Sequence, residues 1–324
     1  ISLRYRASFC MNIDSGMFPD VADALGIDSP AIVEKDVYAV QLLSLLSTLR
    51  SEAFELVFAG GTSLAKAHHK LFRMSEDIDI KLVARDGVAT GMSRTALKAE
   101  RKAMLSEIET VISRSPILGL DPDAGIVKRN EYRYAEFTVR YPRTQGSISA
   151  LRPDLKLDVA ASELYEPAVA CSVSSLYADV LKLPPEVASF TVVSLPATIS
   201  EKLVALLRRT AHVNRDPSRK DDETLVRHVY DLHMATAGGY DMAALRPLVQ
   251  AVIQTDVSQF GNQHTQFVTS PADELLYGLG CLQTNPIHQD RYERFIGPLV
   301  YHDEPASWDE ALQTVNELAQ RLLT

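Results

Sequence analysis

A turn of two glycines, Gly60 and Gly61, most constrains the fold of this chain because of what stands on either side of it. The apolar run at residues 56–59 predicts a short strand that ends at the turn. Residues 62–72 carry apolar side chains at helical spacing and predict a helix after it. Residues 77–84 then alternate polar and apolar side chains, which is typical of a strand with one buried face. This order of strand, turn, helix and strand indicates a mixed α and β unit.

The second predicted strand carries two carboxylates, Asp77 and Asp79, on its polar side. Side chains two residues apart on a strand stand about 6.5–7 Å apart along it, so these carboxylates can converge on a hard cation such as Mg²⁺. Asp158 opposes the apolar side chains of the run at 154–160 and is the best candidate for a third carboxylate. Three carboxylates would complete a two-metal site for in-line attack on phosphorus. The alternative is an ordinary solvated strand face.

The glycine turn itself suits a phosphate group. A helix N-terminus presents free N–H groups and partial positive charge, and glycine lets the backbone come close to a ligand. Gly61, Thr62 and Ser63 are therefore candidate nucleotide-binding residues, although a glycine pair alone usually marks only a turn. The turn together with the two carboxylates is much more specific than either feature alone.

The segment FAGGTSLAKAHH at 58–69, followed by SEDIDI at 75–80, resembles the first motif of the AbiEii/AbiGii toxin family, which includes the MenT-type toxins. The segment VEKDVY at 33–38 resembles the N-terminal helix of that family. Glu201-Lys202-Leu203 and RHVYDL at 227–232 resemble its second conserved block, except that members often carry an acidic residue where His228 stands. The resemblance implies the polymerase-beta-like fold of the nucleotidyltransferase superfamily.

The resemblance also implies an activity, in which a nucleoside monophosphate moves from an NTP to an acceptor and pyrophosphate is released. It implies that Asp77 and Asp79 hold Mg²⁺ and that Asp158 is the third metal carboxylate and activates the acceptor hydroxyl. Lys202 would neutralise phosphate charge in the nucleotide site, and Asp231 would orient Lys202 or the nucleotide. An RNA acceptor, with tRNA 3′ ends favoured, and a separate cognate antitoxin also follow from the resemblance.

Several of these roles have simpler alternatives. The resemblance implies that Gly61 and Ser63 hold the triphosphate. Lys202, in contrast, could be an ordinary exposed helix lysine. Asp231 could be a surface partner of Arg227, four residues before it. The rival functions are transfer to a small molecule or to a protein hydroxyl, and a non-catalytic nucleotide-binding or RNA-binding module.

The charge of the chain limits how it could bind nucleic acid. Its 324 residues include 42 acidic and 33 basic side chains, so a net charge of −9 excludes a general positive coat. Residues 202–220 nevertheless hold six basic side chains and one acidic one, and residues 128–143 interleave basic side chains with tyrosines. Basic residues beside aromatic ones suit a single-stranded nucleic-acid end, whereas the simpler interpretation is a set of solvated faces.

We expect an α+β fold in two domains. Residues 1–190 would form a nucleotidyltransferase-type mixed β-sheet with helices, and residues 191–324 an all-helical domain that contributes to the active site. The hydrophobic period becomes helical from about residue 196, and the capping-box pattern at 198–201 predicts where the first of these helices starts.

Other features exclude several classes of protein. The longest stretch without charged side chains has 16 residues, which is too short to span a membrane, and the N-terminus lacks the apolar core of a secretory signal. Cys10, Cys171 and Cys281 fit neither a disulfide framework nor a zinc site, which favours a cytoplasmic protein. His68 and His69 would diverge by about 100° on a helix and could not easily share a metal.

Overall fold

The computed structural model describes residues 13–68, 71–146 and 148–324, so Cys10 and His69 lie outside the described residues. The chain divides into two compact units. The first unit comprises Met74–Leu164, Ala168–Val193 and the described residues before Leu71. The second unit comprises Leu71–Arg73, Tyr165–Pro167 and Ser194–Thr324. Two short segments that precede Ser194 therefore belong to the second unit.

The first unit is built on one mixed sheet of eight strands in the order β3-β5-β6-β2-β1-β8-β7, with β4 paired to β5. Its strands are β1 Phe54–Ala59, β2 Asp77–Ala84, β3 Gly119–Leu120, β4 Ile126–Arg129, β5 Tyr134–Arg140, β6 Leu155–Ala161, β7 Val169–Val173 and β8 Val187–Val192. Its α-helices are α1 Phe18–Ala24, α2 Pro30–Leu46, α3 Gly60–Ser63, α4 Val88–Gly91, α5 Arg94–Ser113 and α6 Leu176–Leu181.

Strand alternation divides the sheet into an apolar face and a polar face. The apolar side chains of β2, β5 and β6 are buried in one core together with side chains of α2 and α5. Successive side chains of a strand point to opposite faces, so the polar residues between them share the other face. In the centre of the sheet β2 pairs antiparallel with β1 and parallel with β6, and β6 pairs antiparallel with β5. The predicted strands at 56–59 and 77–84 are therefore confirmed, and the structure shows that they are neighbours.

The second unit is helical. It contains α7 Leu195–Arg215, α8 Arg227–Thr236, α9 Met242–Phe260, α10 Thr265–Thr269, α11 Pro271–Thr284, α12 Ile287–Leu299 and α13 Trp308–Leu323. Helix α7 packs against α8, α9 and α11. Its contact with α11 requires Gly278, because a Cβ atom there would lie 2.1 Å from the carbonyl oxygen of Leu207.

The predicted α+β class, with a mixed sheet followed by a helical C-terminal region, is confirmed. No helix among the described residues combines the length and apolar character that a membrane crossing requires. Cys171 and Cys281 both carry free thiols.

Two predicted helix boundaries are wrong. The helix expected over 62–72 ends as a π-helical segment at His68, and Phe72 has a φ of 49°, which a helix does not allow. Phe72 instead accepts a hydrogen bond at its carbonyl oxygen from the Tyr301 N–H, 2.7 Å away, within the second unit. The capping box at 198–201 does not start α7, because Ser194 caps the helix four residues earlier by accepting from the Ala197 N–H.

Candidate active site

Carboxylates from three neighbouring strands form a row across the polar face of the sheet. Asp79 on β2 is the register partner of Asp158 on β6, and Asp158 is the register partner of Glu136 on β5. Hydrogen-bonded strands lie about 4.8 Å apart, so the three side chains are immediate neighbours. Glu136 is not among the predicted site residues, although its alternation with Phe137 on β5 is the signal that could have found it.

The glycine turn lies directly against this row. Gly60 has a φ of 78°, and a Cβ atom on it would stand 1.9 Å from Oδ2 of Asp79. Only glycine tolerates both the left-handed backbone and this close approach. The Thr62 hydroxyl donates to the carbonyl oxygen of Asp77, which ties the turn to the start of β2. The structure thus brings together the two motifs that the sequence places 15 or more residues apart.

The hydroxyl groups of Thr62 and Ser63 form hydrogen bonds that stabilise the turn itself. Thr62 is 2% exposed and Ser63 is fully buried. The Ser63 hydroxyl donates to the carbonyl oxygen of Gly60 at 3.0 Å, and the Thr62 hydroxyl lies 2.8 Å from that of Ser75. Gly61 is only half-buried, so its backbone is the part of the turn that a ligand can reach.

Cationic side chains already partner two of the predicted metal carboxylates. Nη2 of Arg152 lies 2.5 Å from Oδ1 of Asp77, and Nζ of Lys156 lies 2.9 Å from Oδ2 of Asp158. The Tyr134 hydroxyl donates to Oδ1 of Asp158 at 2.8 Å. Burial and this bond raise the pKa of Tyr134, so the phenol stays protonated and remains a donor. Burial opposes the charge on Lys156, but Asp158 raises its pKa nevertheless.

A buried ion pair holds the backbone of Arg152. Lys35 on α2 is fully buried, and its Nζ lies 2.5 Å from Oε1 of Glu76 and 2.7 Å from the Arg152 carbonyl oxygen. The same Glu76 oxygen accepts from the Arg152 N–H at 2.7 Å. Burial lowers the pKa of Lys35 despite the neighbouring carboxylate. The charged residues of the segment 33–38 therefore anchor the site from inside rather than solvate a helix surface.

The donor set fits a divalent cation. Among the described residues no three carboxylate, histidine or cysteine side chains are close enough to hold a metal as they stand. The carboxylate oxygens of Asp77, Asp79 and Asp158 are nevertheless the ligands that hard cations prefer. Arg152 and Lys156 supply positive charge at two of them. A metal would enter by displacing these side chains rather than by filling a preformed cage.

In the second unit Asp231 is fully buried and binds two cations. Nε and Nη2 of Arg73 lie 2.6 and 2.7 Å from its two carboxylate oxygens, and Nζ of Lys202 lies 2.8 Å from Oδ2. Burial alone would raise the pKa of Asp231, but Arg73 and Lys202 hold it well below its ordinary value. Burial likewise opposes the charge of Arg73, whose pKa Asp231 raises.

These contacts decide between the interpretations left open for this pair. Lys202 is 7% exposed and Asp231 is inaccessible, so neither is an ordinary surface residue. Nζ of Lys202 contacts Asp231 directly, and the roles predicted for both residues at a nucleotide site stay predictions. Arg73 was missed, and no sequence signal identifies it, because its partner lies 158 residues away.

The basic segment at 202–220 is largely neutralised within the second unit. Five of its six cations are ion-paired with carboxylates, in the pairs Lys202–Asp231, Arg208–Asp256, Arg209–Asp222, Arg215–Glu274 and Arg219–Asp216. The sixth, Lys220, is exposed. In the first unit Lys128 pairs with Glu109, and Arg140 with Asp121 and Asp123. The segment at 202–220 is therefore not a continuous positive surface, whereas Arg129, Arg133 and Arg143 of the second cluster are exposed.

Both a family model and a solved structure match this chain. The sequence model of the family described as nucleotidyl transferase AbiEii toxin, type IV toxin–antitoxin system, matches residues 44–314. The solved structure of MenT4, a nucleotidyltransferase toxin from Mycobacterium tuberculosis, has a similar fold with a TM-score of 0.53 at 20% identity. The match covers 94% of this chain and 98% of that one. No curated protein sequence matches the chain.

Proposed function

Since the chain belongs to the AbiEii family of nucleotidyltransferase toxins, we propose that it transfers a nucleoside monophosphate from an NTP to an RNA acceptor, with Mg²⁺, in the cytoplasm. Membership of a type IV toxin–antitoxin family implies an NTP substrate and an antitoxin partner. The RNA acceptor and the metal Mg²⁺ go beyond what family membership implies and are our own proposal. A tRNA 3′ end is the acceptor that we favour.

One observation carries the proposal, namely that the glycine turn touches the carboxylate row at Gly60 and Asp79. A triphosphate needs close backbone approach, and phosphoryl chemistry needs carboxylates that can gather cations beside it. We expect Lys202, which contacts Asp231 within the second unit, to be the cation for phosphate charge. A non-catalytic nucleotide-binding module would not need a row of like charges in register, because such a row destabilises the sheet.

Each side chain then has a defined task. Asp77, Asp79 and Asp158 would hold Mg²⁺, which when bound supplies positive charge to the phosphates and aligns the attacking and leaving oxygens. Asp158 accepts the proton of the acceptor hydroxyl; each carboxylate oxygen has two lone pairs, so the bonds to Tyr134 and Lys156 leave capacity for it.

The remaining groups bind phosphate. The backbone of Gly61, with the hydroxyl-bearing residues Thr62 and Ser63 shaping the turn, would receive the triphosphate. Lys202 would neutralise charge on the leaving pyrophosphate, and Asp231 would keep Lys202 in place.

The direct test incubates the full chain with each labelled NTP, Mg²⁺ and total RNA, and separates RNA, protein and small-molecule fractions. We expect label on RNA that is absent with Asp77→Ala and retained with Asp86→Ala, an exposed aspartate just beyond β2. Label in the protein or small-molecule fraction instead would favour the rival acceptors. No label anywhere, with NTP binding that survives Asp79→Ala, would establish the non-catalytic module. Growth arrest on expression, lost in Asp77→Ala, tests the toxin role.

A further inference from the structure

Four exposed cations of the first unit have no task in the proposed chemistry. They are Lys98 and Lys102 on α5, Arg129 at the end of β4 and Arg133 just before β5. Among the described residues none of the four forms an ion pair with a carboxylate. The chain as a whole has a net charge of −9, so these cations reverse its charge locally. We call the four residues the hairpin patch.

Two ion pairs hold α5 beside the β4–β5 hairpin. Nε and Nη2 of Arg94 donate to the two carboxylate oxygens of Glu131 at 3.0 and 2.9 Å. Nζ of Lys128 lies 3.2 Å from Oε2 of Glu109. Positions 94, 98, 102 and 109 fall within about 80° of one another around a helix, so the two patch lysines lie between these contacts. The helix and the hairpin therefore present their unpaired cations side by side.

The turn that carries Arg133 is held in shape from two sides. Residues 130–132 have positive φ angles of 49°, 56° and 64°. Arg94 binds the Glu131 carboxylate, and Nε of the buried Arg101 donates to the Glu131 carbonyl oxygen at 3.3 Å. Burial lowers the pKa of Arg101, and repulsion from Arg133 and Arg94 lowers it further. These guanidinium groups are thus close enough to repel one another, and an anion bound at Arg133 would screen that repulsion.

The hairpin patch adjoins the polar face that carries the carboxylate row. Arg129 is the register partner of Tyr134 on β5, so the two side chains share one face of the sheet. The Tyr134 hydroxyl donates to Asp158, the residue proposed to accept the proton of the acceptor hydroxyl. Arg129 and Asp158 are separated by two strand spacings across the sheet and two residues along it, which places their Cα atoms about 12 Å apart.

The tyrosines of the hairpin are engaged elsewhere. Tyr132 packs against the hydrophobic core of the first unit, and the Tyr134 hydroxyl binds Asp158 and Glu136. The patch therefore offers positive charge rather than stacking surfaces. Positive side chains of this kind contact phosphates and read no base sequence. Several neighbouring cations suit a chain of phosphates better than a single small anion.

We propose that the hairpin patch binds backbone phosphates of the acceptor RNA near its reacting end, independently of base sequence. This inference rests on the proposed function, in which a hydroxyl at the end of an RNA strand reaches Asp158. A strand that ends at Asp158 and passes Arg129 would lay its preceding phosphates along the turn and α5. An acidic protein could use the same charges, but the continuity of the patch with Asp158 favours RNA.

The test measures binding without catalysis. Fluorescently labelled 12-nucleotide single-stranded RNAs, one of uridine only and one of adenosine only, are titrated with the full chain in 50, 100 and 200 mM KCl without NTP. The variants are Lys98→Gln, Arg129→Gln and Arg133→Gln, which remove one charge each and keep a long polar side chain. Arg114→Gln is the matched control, because Arg114 is an exposed arginine without an ion pair in the described part of the chain but lies at the other end of α5.

We expect each variant to weaken the binding of both RNAs about fivefold at 0.1 M salt. The slope of log K against log salt concentration should become shallower by about 0.7, the value for one phosphate contact of a single strand. The control should change neither quantity. Because the substituted side chains are exposed and unpaired, all four variants should melt like the wild type, which shows that a loss of binding is not a loss of folding.

Variants that bind both RNAs with the affinity and salt slope of the control overturn the inference and leave an acidic protein as the partner of the patch. Weakening confined to one of the two sequences also overturns it, because it indicates base recognition, as does a wild-type protein that binds neither RNA. Failure of the proposed function looks different. If RNA is never labelled in the transfer assay yet the variants weaken its binding, the patch stands and the transfer reaction falls. If RNA is labelled and its affinity is the same in the variants, the reverse holds.

Discussion

Asp79 and Asp158 are register partners on adjacent parallel strands, so two like charges stand side by side in the middle of the sheet. Like charges directly opposite each other destabilise a sheet by up to ~1 kcal/mol. A bound cation would offset this repulsion, because carboxylate oxygens are the ligands that hard cations prefer. We therefore expect the pair to lower the free energy of unfolding and to support nucleotidyl transfer, and these two effects can be measured separately.

Asp79→Asn should separate these effects. Removal of one charge relieves the repulsion, so we expect the free energy of unfolding to rise by up to ~1 kcal/mol. Nucleotidyl transfer should fall by at least about 100-fold, as for loss of one group that stabilises developing charge. Chemical denaturation and a transfer assay on the same preparation check both. A variant that loses activity and stability together would instead mark Asp79 as structural.

Gly60→Ala should remove activity through the carboxylate row. The new Cβ atom would stand 1.9 Å from Oδ2 of Asp79, which must move. Gly26→Ala is the matched control, since Gly26 also has a positive φ of 65° but has nothing within 4 Å of its Cβ position. We expect both variants to lose ~1–2 kcal/mol of stability from the left-handed backbone, and only Gly60→Ala to lose transfer activity. Equal activity in the two variants would contradict the close approach as a functional feature.

Arg152→Ala should strengthen metal binding. Arg152 is 44% exposed in its side chain and competes with a metal for Asp77, and such a partly solvated pair contributes up to ~1 kcal/mol. Its removal should therefore raise the affinity for Mn²⁺ by up to about fivefold, measured by electron paramagnetic resonance of free Mn²⁺ without NTP. Arg94→Ala removes an arginine from the exposed pair with Glu131 and should leave the affinity unchanged. Weaker Mn²⁺ binding by Arg152→Ala would show that the arginine supports the site instead.

Asp231→Asn should destabilise the second unit strongly. It leaves Arg73 and Lys202 buried without their counter-charge, and breaking such a buried cluster costs about 3–5 kcal/mol. Asp216→Asn, in an exposed pair with Arg219, should unfold like the wild type. Lys202→Met keeps the two bonds between Arg73 and Asp231, so it should fold and yet fail to transfer. Full activity in Lys202→Met would contradict the proposal that Lys202 neutralises phosphate charge.

His228 should make stability depend on pH between about 5 and 7. Burial, with the nearby charge of Lys202, holds its pKa well below the ordinary value of about 6.5. Below that value the unfolded chain binds a proton that the folded chain refuses, so stability falls as pH falls, by up to ~1.4 kcal/mol per pH unit. His228→Asn should reduce this slope in denaturation curves at pH 5.5, 6.5 and 8. An unchanged slope would show that other histidines carry the whole effect.

The parts of the fold that follow from local pattern were predictable. The alternation at 77–84 and the glycine turn predicted two strands, which the structure shows to be adjacent. The alternation of polar and apolar residues at 154–160 was enough to predict that Asp158 lies on the polar face that it shares with Asp79. The same rule would have found Glu136. Arg73 could not be found this way, because a buried ion pair between distant segments leaves no periodic trace in either of them.

Capping was predictable only where competing signals were absent. Ser307 and Glu310 have capping-box spacing in the sequence, and they form the capping box of α13. At 198–201 the same pattern lies inside α7, because Ser194 provides an earlier cap and the Thr198 hydroxyl bonds back to the Ser194 carbonyl oxygen. A cap signature therefore marks a permitted helix start, and the residues before it decide whether it is used.

The assignment of Leu71–Arg73 to the second unit has a consequence for biosynthesis. Arg73 leaves the ribosome 158 residues before Asp231, a delay of roughly 8–30 s at ordinary elongation rates. The helical unit cannot close its charged centre until Asp231 has been made, and a fragment beginning at Ser194 would lack Arg73 altogether. A nascent toxin would in this way stay incomplete at Lys202 until Asp231 has been synthesised.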